Sequence, residues 1–571
     1  MERIYIIGNN ENNVKHLGFS YVIVPSLIND EEIDRWTISF IKDNQVDKLI
    51  IDLSDNSILF LKIALHIRLS LEELEKKALI PLLFISVSSL TNILAVSGSW
   101  SHILTTKGAY FSSYEHVKTE VQYVEYLKAE EFKMNFLNII NILPDEKTGR
   151  HSLANIWGAY VMDKTANTNA LIGNDDFRKN RTKLYFKYVK ALNYDLPKFN
   201  QIIEYHSLGE QNNIDASNRK ILFIDDEADK GWETVLRKVF KTSLSDDFVV
   251  INKKIENYDN LSTENKSLIE TKPFDLYLVD LRLYGPEEEN TLQPDDFSGM
   301  KVLRKIKSLN QGNQVIMFTA SNKVWNLKAL LDAGADGYYM KESPEFSFSD
   351  EFSKQNYARF QTDVKNCFER KYLTTIWECC KAIDNHFLKK KPLKKFFPNN
   401  LELLKALGYQ NLIIAELESI FSILETTNEN RLNISMLSLF KILECISEIF
   451  IPISEDDRIN MQKDMLKFWD GSDVDCWKFD STTKSYIPFH YPFPKTESIK
   501  LEAYKSTENK IRAILYQKLS LKCYNLHHSI HSLVQYRNDY IHPRNRFKLK
   551  ELKSDEITSW FNSIRQIIEK I

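Results

Sequence analysis

KILFIDDEAD, residues 220–229, runs four apolar residues, Ile221, Leu222, Phe223 and Ile224, straight into Asp225, Asp226 and Glu227. A short unbroken apolar run reads as a strand buried on both faces of a parallel sheet. The acids therefore fall just past the strand's carboxyl end, the edge where functional groups collect in a doubly wound α/β sheet.

Working outward, DFVVIN, FDLYLVDL, QVIMFTA and GYYMK read as four more strands, with ETVLRKVFK, SGMKVLRKIKSL and KVWNLKALLDAG as helices between them. The strand YLVD delivers Asp280 to the edge that holds Asp225 and Asp226. The next two strands deliver Thr319 and Lys341. Carboxylates gathered this closely repel unless something positive lies among them, and a hard oxygen-seeking cation such as Mg²⁺ answers that need. An ammonium and a hydroxyl facing a carboxylate and a divalent cation make a phosphoryl pocket, in which one carboxylate can attack phosphorus.

With those residues in view, the stretch from 218 to about 350 resembles the receiver domain of response regulators. The resemblance implies that Asp280 is the phosphoacceptor and that Asp225, Asp226 and the main-chain carbonyl of Arg282 hold Mg²⁺ together with Asp280. It further implies that Lys341 and Thr319 bind the phosphoryl group and that Tyr338 is the aromatic switch residue. Two features depart from the family: the long acidic loop YGPEEENTLQPDDF (284–297), and KES where Lys-Pro is common.

Residues 1–120 repeat the alternation with RIYIIG, YVIVP, KLIIDL, PLLFIS and the weaker HILTT as strands. The first strand here ends in Gly8, Asn9 and Asn10 instead of acids, while Asp52 and Ser86 end the third and fourth. Without an acidic pair a cation has little to hold it, so this unit reads as a degenerate receiver serving protein contact.

Between the two units, GRHSLANIWGAYVMD (149–163) places Leu153, Ile156, Trp157, Tyr160 and Val161 on one helical stripe, with His151 and Asn155 four apart on the opposite, solvent-facing side. H-S-L-A-N is similar to the phosphoacceptor box of histidine kinases and phosphotransfer proteins, which implies His151 as a phosphotransfer residue. The other reading is a helix start with a solvent-facing histidine. No kinase nucleotide-binding motif is present, so any primary phosphodonor must be another protein.

After residue 350 strand signals give way to long amphipathic helices, broken by the aromatic loop WDGSDVDCWKFDSTTKSYIPFHYPFPK. VQYRNDYIHP (534–543) resembles the Arg-Asn...His motif of HEPN ribonucleases, matched by Arg537, Asn538 and His542. The resemblance implies a helical bundle that cleaves RNA without metal, using the 2′-hydroxyl as nucleophile, with two motifs meeting across a homodimer. Pro543 marks the helix end, where the dipole favours a protonated imidazole. The competing reading has Arg537, Asp539 and His542 capping and pairing at a helix terminus. KKKPLKKFF (389–397) offers a local basic patch with aromatics.

The bulk numbers fit a multidomain protein combining α/β and all-α parts: 571 residues, 43% hydrophobic, and only 16 Gly and 15 Pro. A net charge of -3 demands neither a nucleic-acid nor a membrane partner. Six scattered cysteines read as reduced thiols of a cytoplasmic protein, no signal peptide is visible at MERIYIIGNN, and the apolar segment 78–100 is too interrupted to span a membrane. The expected organisation is a degenerate receiver (1–120), a helical connector (121–212), a receiver (213–350) and a helical HEPN-like effector (351–571). The expected function is a response regulator of a two-component system, phosphorylated by a histidine kinase or phosphotransfer protein. Its effector would be a stress or phage-defence ribonuclease, or alternatively a non-enzymatic adaptor that dimerises or binds a partner protein.

Overall fold

The computed structural model describes residues 2–571 apart from 145–149, 172–174, 193–212, 243–246, 285–287, 289–292, 321–323, 344–349, 398, 427, 453–465, 481, 483–484, 490–505, 522 and 542–550. The chain divides into two compact units, residues 1–303 with 315–365, and residues 304–314 with 366–571.

The first unit contains two sheets of identical winding. In the first, β1 (Ile4–Gly8), β2 (Ser20–Ile23), β3 (Lys48–Asp52), β4 (Leu82–Ile85) and β5 (Ala109–Ser112) lie parallel in the order β2-β1-β3-β4-β5. Every residue of β3 and β4 is buried, as a strand covered on both faces requires. Helices α1 (Asp30–Asp43), α2 (Ser57–Leu69) and α3 (Leu90–Ser97) supply part of that cover. Asn29 caps α1 by accepting from the Glu32 N–H, and three acids fill its first turn against the helix dipole.

The fifth strand is not HILTT. Residues Gly98–Thr105 form tight helical turns, and Gly108, at φ +81, opens the chain into β5. Ile103 is buried, so its apolar character serves packing in either conformation, and a run this short cannot distinguish strand from helix.

A connector follows: α4 (Arg150–Ala166), α5 (Asp175–Arg181) and α6 (Leu184–Leu192). Trp157, Tyr160, Phe177 and Phe186 form one aromatic cluster, with ring centroids 5.3–6.1 Å apart among the paired rings. On α6, Lys187 bonds Asp34 of α1 and Ser70 just beyond α2, tying the connector to the first sheet's cover.

The second sheet has β6 (Ile221–Ile224), β7 (Phe248–Ile251), β8 (Leu276–Asp280), β9 (Val315–Thr319) and β10 (Gly337–Met340), parallel in the order β7-β6-β8-β9-β10. Its helices are α7 (Trp232–Val239), α8 (Thr263–Thr271), α9 (Ser298–Leu309), α10 (Val324–Asp332) and α11 (Asp350–Glu369). The winding reverses between β6 and β8, which opens a crevice at their carboxyl ends.

The second unit is mainly helical: α12 (Tyr372–Lys390), α13 (Asn400–Glu425), α14 (Arg431–Phe450), α15 (Thr507–Ala513), α16 (Tyr524–Ile541) and α17 (Ser554–Lys570). Ile376, Ile413, Leu439, Leu443, Phe561 and Ile567 belong to one apolar core there. The aromatic loop contains an antiparallel hairpin, β11 (Cys476–Asp480) and β12 (Ser485–Phe489), which the helix-dominated pattern around it concealed. No helix among the described residues is long and apolar enough to cross a membrane.

Candidate phosphoacceptor site

Asp225 and Asp226 follow β6, Asp280 ends β8, Thr319 ends β9 and Lys341 follows β10, so four adjacent strand ends converge on one edge. Asp225 is fully buried; Asp280, Thr319 and Lys341 are nearly so. The Lys341 Nζ lies 2.7 Å from Asp225 Oδ2 and 2.8 Å from Asp280 Oδ1. One ammonium thus bridges two carboxylates that would otherwise repel.

The backbone is built to hold this geometry. The Arg282 N–H donates to Asp280 Oδ2 at 3.2 Å and the Glu227 N–H to Asp225 Oδ1 at 2.8 Å. The Lys341 N–H donates to the Thr319 carbonyl at 2.7 Å, extending the ladder one residue past β10. Gly299 enters α9 so close to the end of β8 that a Cβ there would lie 2.0 Å from the Asp280 carbonyl oxygen, so only glycine fits. Within the long acidic loop, Glu288 folds back to accept from the Ser298 N–H and hydroxyl, at 2.6 and 2.7 Å.

Burial, helped by the neighbouring charge of Asp280, pushes the Asp225 carboxyl above its ordinary range even though Lys341 opposes the shift. Burial works against the Lys341 ammonium too, but Asp225 and Asp280 outweigh it and hold its pKa above the ordinary value. Asp225, Asp226 and Asp280 each present an oxygen within 4.8 Å of the others, a hard-oxygen donor set that fits Mg²⁺.

Tyr338 sits in β10, its ring 4.0 Å below the Arg359 guanidinium of α11, which also donates to its hydroxyl at 2.8 Å. No cis peptide occurs among the described residues; in KES, Glu342 accepts from the Ser353 hydroxyl at 3.0 Å.

The equivalent edge of the first sheet is filled differently. Asp52 accepts from the Ser54 N–H and hydroxyl and from the Tyr114 hydroxyl, at 3.0, 2.6 and 2.7 Å. A Cβ on Gly8 would meet the Tyr21 hydroxyl at 2.9 Å, so the Tyr21 side chain stands where an acidic pair would have to project. Burial and the Asp52 charge push the Tyr21 phenol up to about 12. Neutral hydroxyls satisfy Asp52, and among the described residues no carboxylate cluster of the kind formed by Asp225, Asp226 and Asp280 occurs at this edge.

Residues 1–112 match the Inactive Receiver domain family. The inactive receiver is therefore a receiver by winding and a non-reactive one by composition, as the missing acids implied. Among solved structures, a CheY-like response regulator receiver domain protein from Methanospirillum hungatei JF-1 is 22% identical, covering 26% of this chain and 97% of its own, with a TM-score of 0.18. A putative two-component system response regulator/GGDEF domain protein is 9% identical, covering 64% of this chain and 99% of its own, also at 0.18. Scores that low carry no argument. No curated protein matches the chain.

Sequence reasoning misplaced Asn155. It is 4% exposed, and its amide accepts from Lys341 Nζ at 2.9 Å and from the Trp232 indole N–H at 3.1 Å while donating to Glu227 at 2.8 Å. The expectation of a solvent-facing side assumed one packed face, whereas α4 is packed on two. Gly158 was the available signal: a Cβ there would lie 2.8 Å from the Trp232 ring. His151 falls in the first turn of α4, but its side chain lies outside the described residues.

In the second unit, Arg537 is half-buried over the Phe440 ring at 4.7 Å and donates to Asn538 Oδ1 at 3.1 Å. Glu444, close by, is pushed up by burial, with Arg537 opposing the shift. His542 lies outside the described residues, as does Pro543. Of the basic run, Pro392 and Leu393 are buried and Phe396 packs on Phe450, leaving Lys391, Lys394 and Lys395 exposed.

Proposed function

We propose that residues 213–350 form a phosphoacceptor receiver, that Asp280 is its acceptor, and that the helical part from 351 onward is the output it controls. The observation that carries this is the Lys341 ammonium bridging Asp225 and Asp280 at the strand ends. A carboxylate oxygen of Asp280 attacks phosphorus and a new P–O bond forms; the bond to the donor breaks and the leaving group departs with its electron pair. Lys341 and Thr319 take the phosphoryl oxygens, and Asp225, Asp226, Asp280 and, by the family resemblance, the Arg282 carbonyl would hold Mg²⁺, which when bound neutralises those oxygens. The physiological donor is a histidine kinase or phosphotransfer protein, a role open to His151 within this chain. Tyr338, held by Arg359, follows the change in charge at the pocket.

For the output we favour RNA cleavage by a HEPN-like dimer: Arg537 offers a planar fork for a phosphate and His542 a general acid. The alternative, an adaptor, draws support from Leu401, Leu404 and Leu412 of α13, all exposed.

Acetyl phosphate with Mg²⁺ tests the acceptor assignment. The full-length protein should gain one phosphoryl group by intact mass and Asp280→Asn none; modification of Asp280→Asn to the same extent would place the acceptor elsewhere.

A further inference from the structure

Helix α4 stands directly over the pocket just described. Its Asn155 reaches Lys341, Glu227 and Trp232. Ser152, one turn earlier, donates to the other Glu227 oxygen. Gly158, one turn later, lets the helix backbone approach until a Cβ would meet Trp232 and, at 3.2 Å, the Glu342 carbonyl. On the receiver side, Gly231 at φ +108 comes so near that its own Cβ would lie 3.2 Å from that of Ala159. Three consecutive turns are therefore fitted to this one surface.

The donor count gives the contact its consequence. An ammonium has three N–H groups, and those of Lys341 meet Asp225, Asp280 and Asn155 at 2.7, 2.8 and 2.9 Å. A phosphoryl oxygen on Asp280 must take one of the three. Two partners are carboxylates in a low-dielectric pocket, where charge-assisted bonds are the stronger; the third is a neutral amide. Asn155 is the partner that yields.

We propose that α4 is a cap on the phosphoacceptor pocket, latched by Asn155, and that loading of Asp280 requires the Asn155 amide to leave Lys341. The proposal rests on Asp280 being the acceptor. Since α6 of the same connector is bonded through Lys187 to Asp34 and Ser70, the cap is also the path by which the inactive receiver can bias the reactive one. A pocket open only part of the time binds its donor more weakly in proportion to the open fraction. Releasing the latch therefore lowers the acetyl phosphate concentration needed for half-maximal rate and leaves the saturated rate in place.

The test is phosphorylation of the full-length protein by acetyl phosphate with Mg²⁺, comparing wild type, Asn155→Ala, Gly158→Leu and Asp280→Asn. Loss of one hydrogen bond to a charged group predicts a half-saturating concentration lower by about tenfold in Asn155→Ala. Gly158→Leu, which lifts the helix by steric contact instead, should shift it the same way. Amide hydrogen exchange over residues 150–166 should quicken in wild type on loading and be quick in Asn155→Ala beforehand. An unchanged or raised half-saturating concentration in Asn155→Ala overturns the cap while leaving Asp280 as acceptor. Absence of modification in every variant removes the acceptor assignment and the cap with it.

Discussion

Asp225 is the residue on which the pocket's electrostatics turn. Its carboxyl is raised by burial, so the folded protein keeps a proton there at pH values where the unfolded chain has already released it. The sign follows: this group costs stability as pH rises above the ordinary Asp value of 3.8. A cation that binds only the ionised pocket reverses the cost. Mg²⁺ should therefore raise the melting temperature of the wild type at neutral pH, by about 1 °C for each kcal/mol of binding energy in a chain of this size. The gain should shrink on acidification as Asp225 takes up its proton. Calorimetry with and without Mg²⁺ on wild type and Asp225→Asn checks this; an equal gain in both proteins would place the cation elsewhere. Asp52, satisfied by the Ser54 and Tyr114 hydroxyls, gives the inactive receiver no comparable response.

At the scale of elements, the joint between α1, α2 and α6 carries its own pH dependence. Burial holds the fully buried His66 below its ordinary 6.5, Lys187 adding to the shift and Asp34 opposing it. Burial raises Asp34, yet the His66 hydrogen bond and Lys187 outweigh it and hold it below 3.8. For His66 the unfolded chain binds the proton that the fold refuses, so stability is lost as pH falls below 6.5. For Asp34 stability is present above 3.8 and lost as pH falls through its lower folded value. Both slopes have the same sign. Thermal unfolding between pH 7.5 and 5 should show stability falling by at most about 1.4 kcal/mol per pH unit for one such proton, and His66→Leu should flatten the slope in that window. An identical slope in the variant would assign it to other groups.

Elements also show what could be read beforehand. The strands β6 to β10 were legible because each is a short apolar run between polar turns, and the acids, Thr319 and Lys341 follow from strand ends alone. The degenerate character of the first sheet was legible in Gly8, Asn9 and Asn10. The fifth strand was not, because HILTT and AYFS are both short runs of mixed polarity and only pairing with β4 decides between them. The Asn155 latch was hidden for a different reason: it joins residues 186 apart in sequence, and no local period reports on the second face of a doubly packed helix.

For the whole molecule, linkage supplies the decisive measurement. If loading of Asp280 changes the affinity of the helical output for RNA by some factor, RNA must change the affinity of the pocket for its ligand by the same factor. Beryllofluoride with Mg²⁺ stands in for the phosphoryl group at equilibrium, and His542→Ala keeps the RNA intact during the titrations. A coupling of typical size, about 5- to 150-fold, should appear equally in both directions and vanish in Asp280→Asn. Wild type should cleave the same RNA, and both His542→Ala and Arg537→Ala should lose that cleavage by at least about 100-fold, the scale of general acid–base catalysis. Equal RNA affinity with and without beryllofluoride removes control of the output by the receiver. Coupling without cleavage in any protein removes the nuclease and leaves the adaptor, with the exposed leucines of α13 as the surface to mutate first.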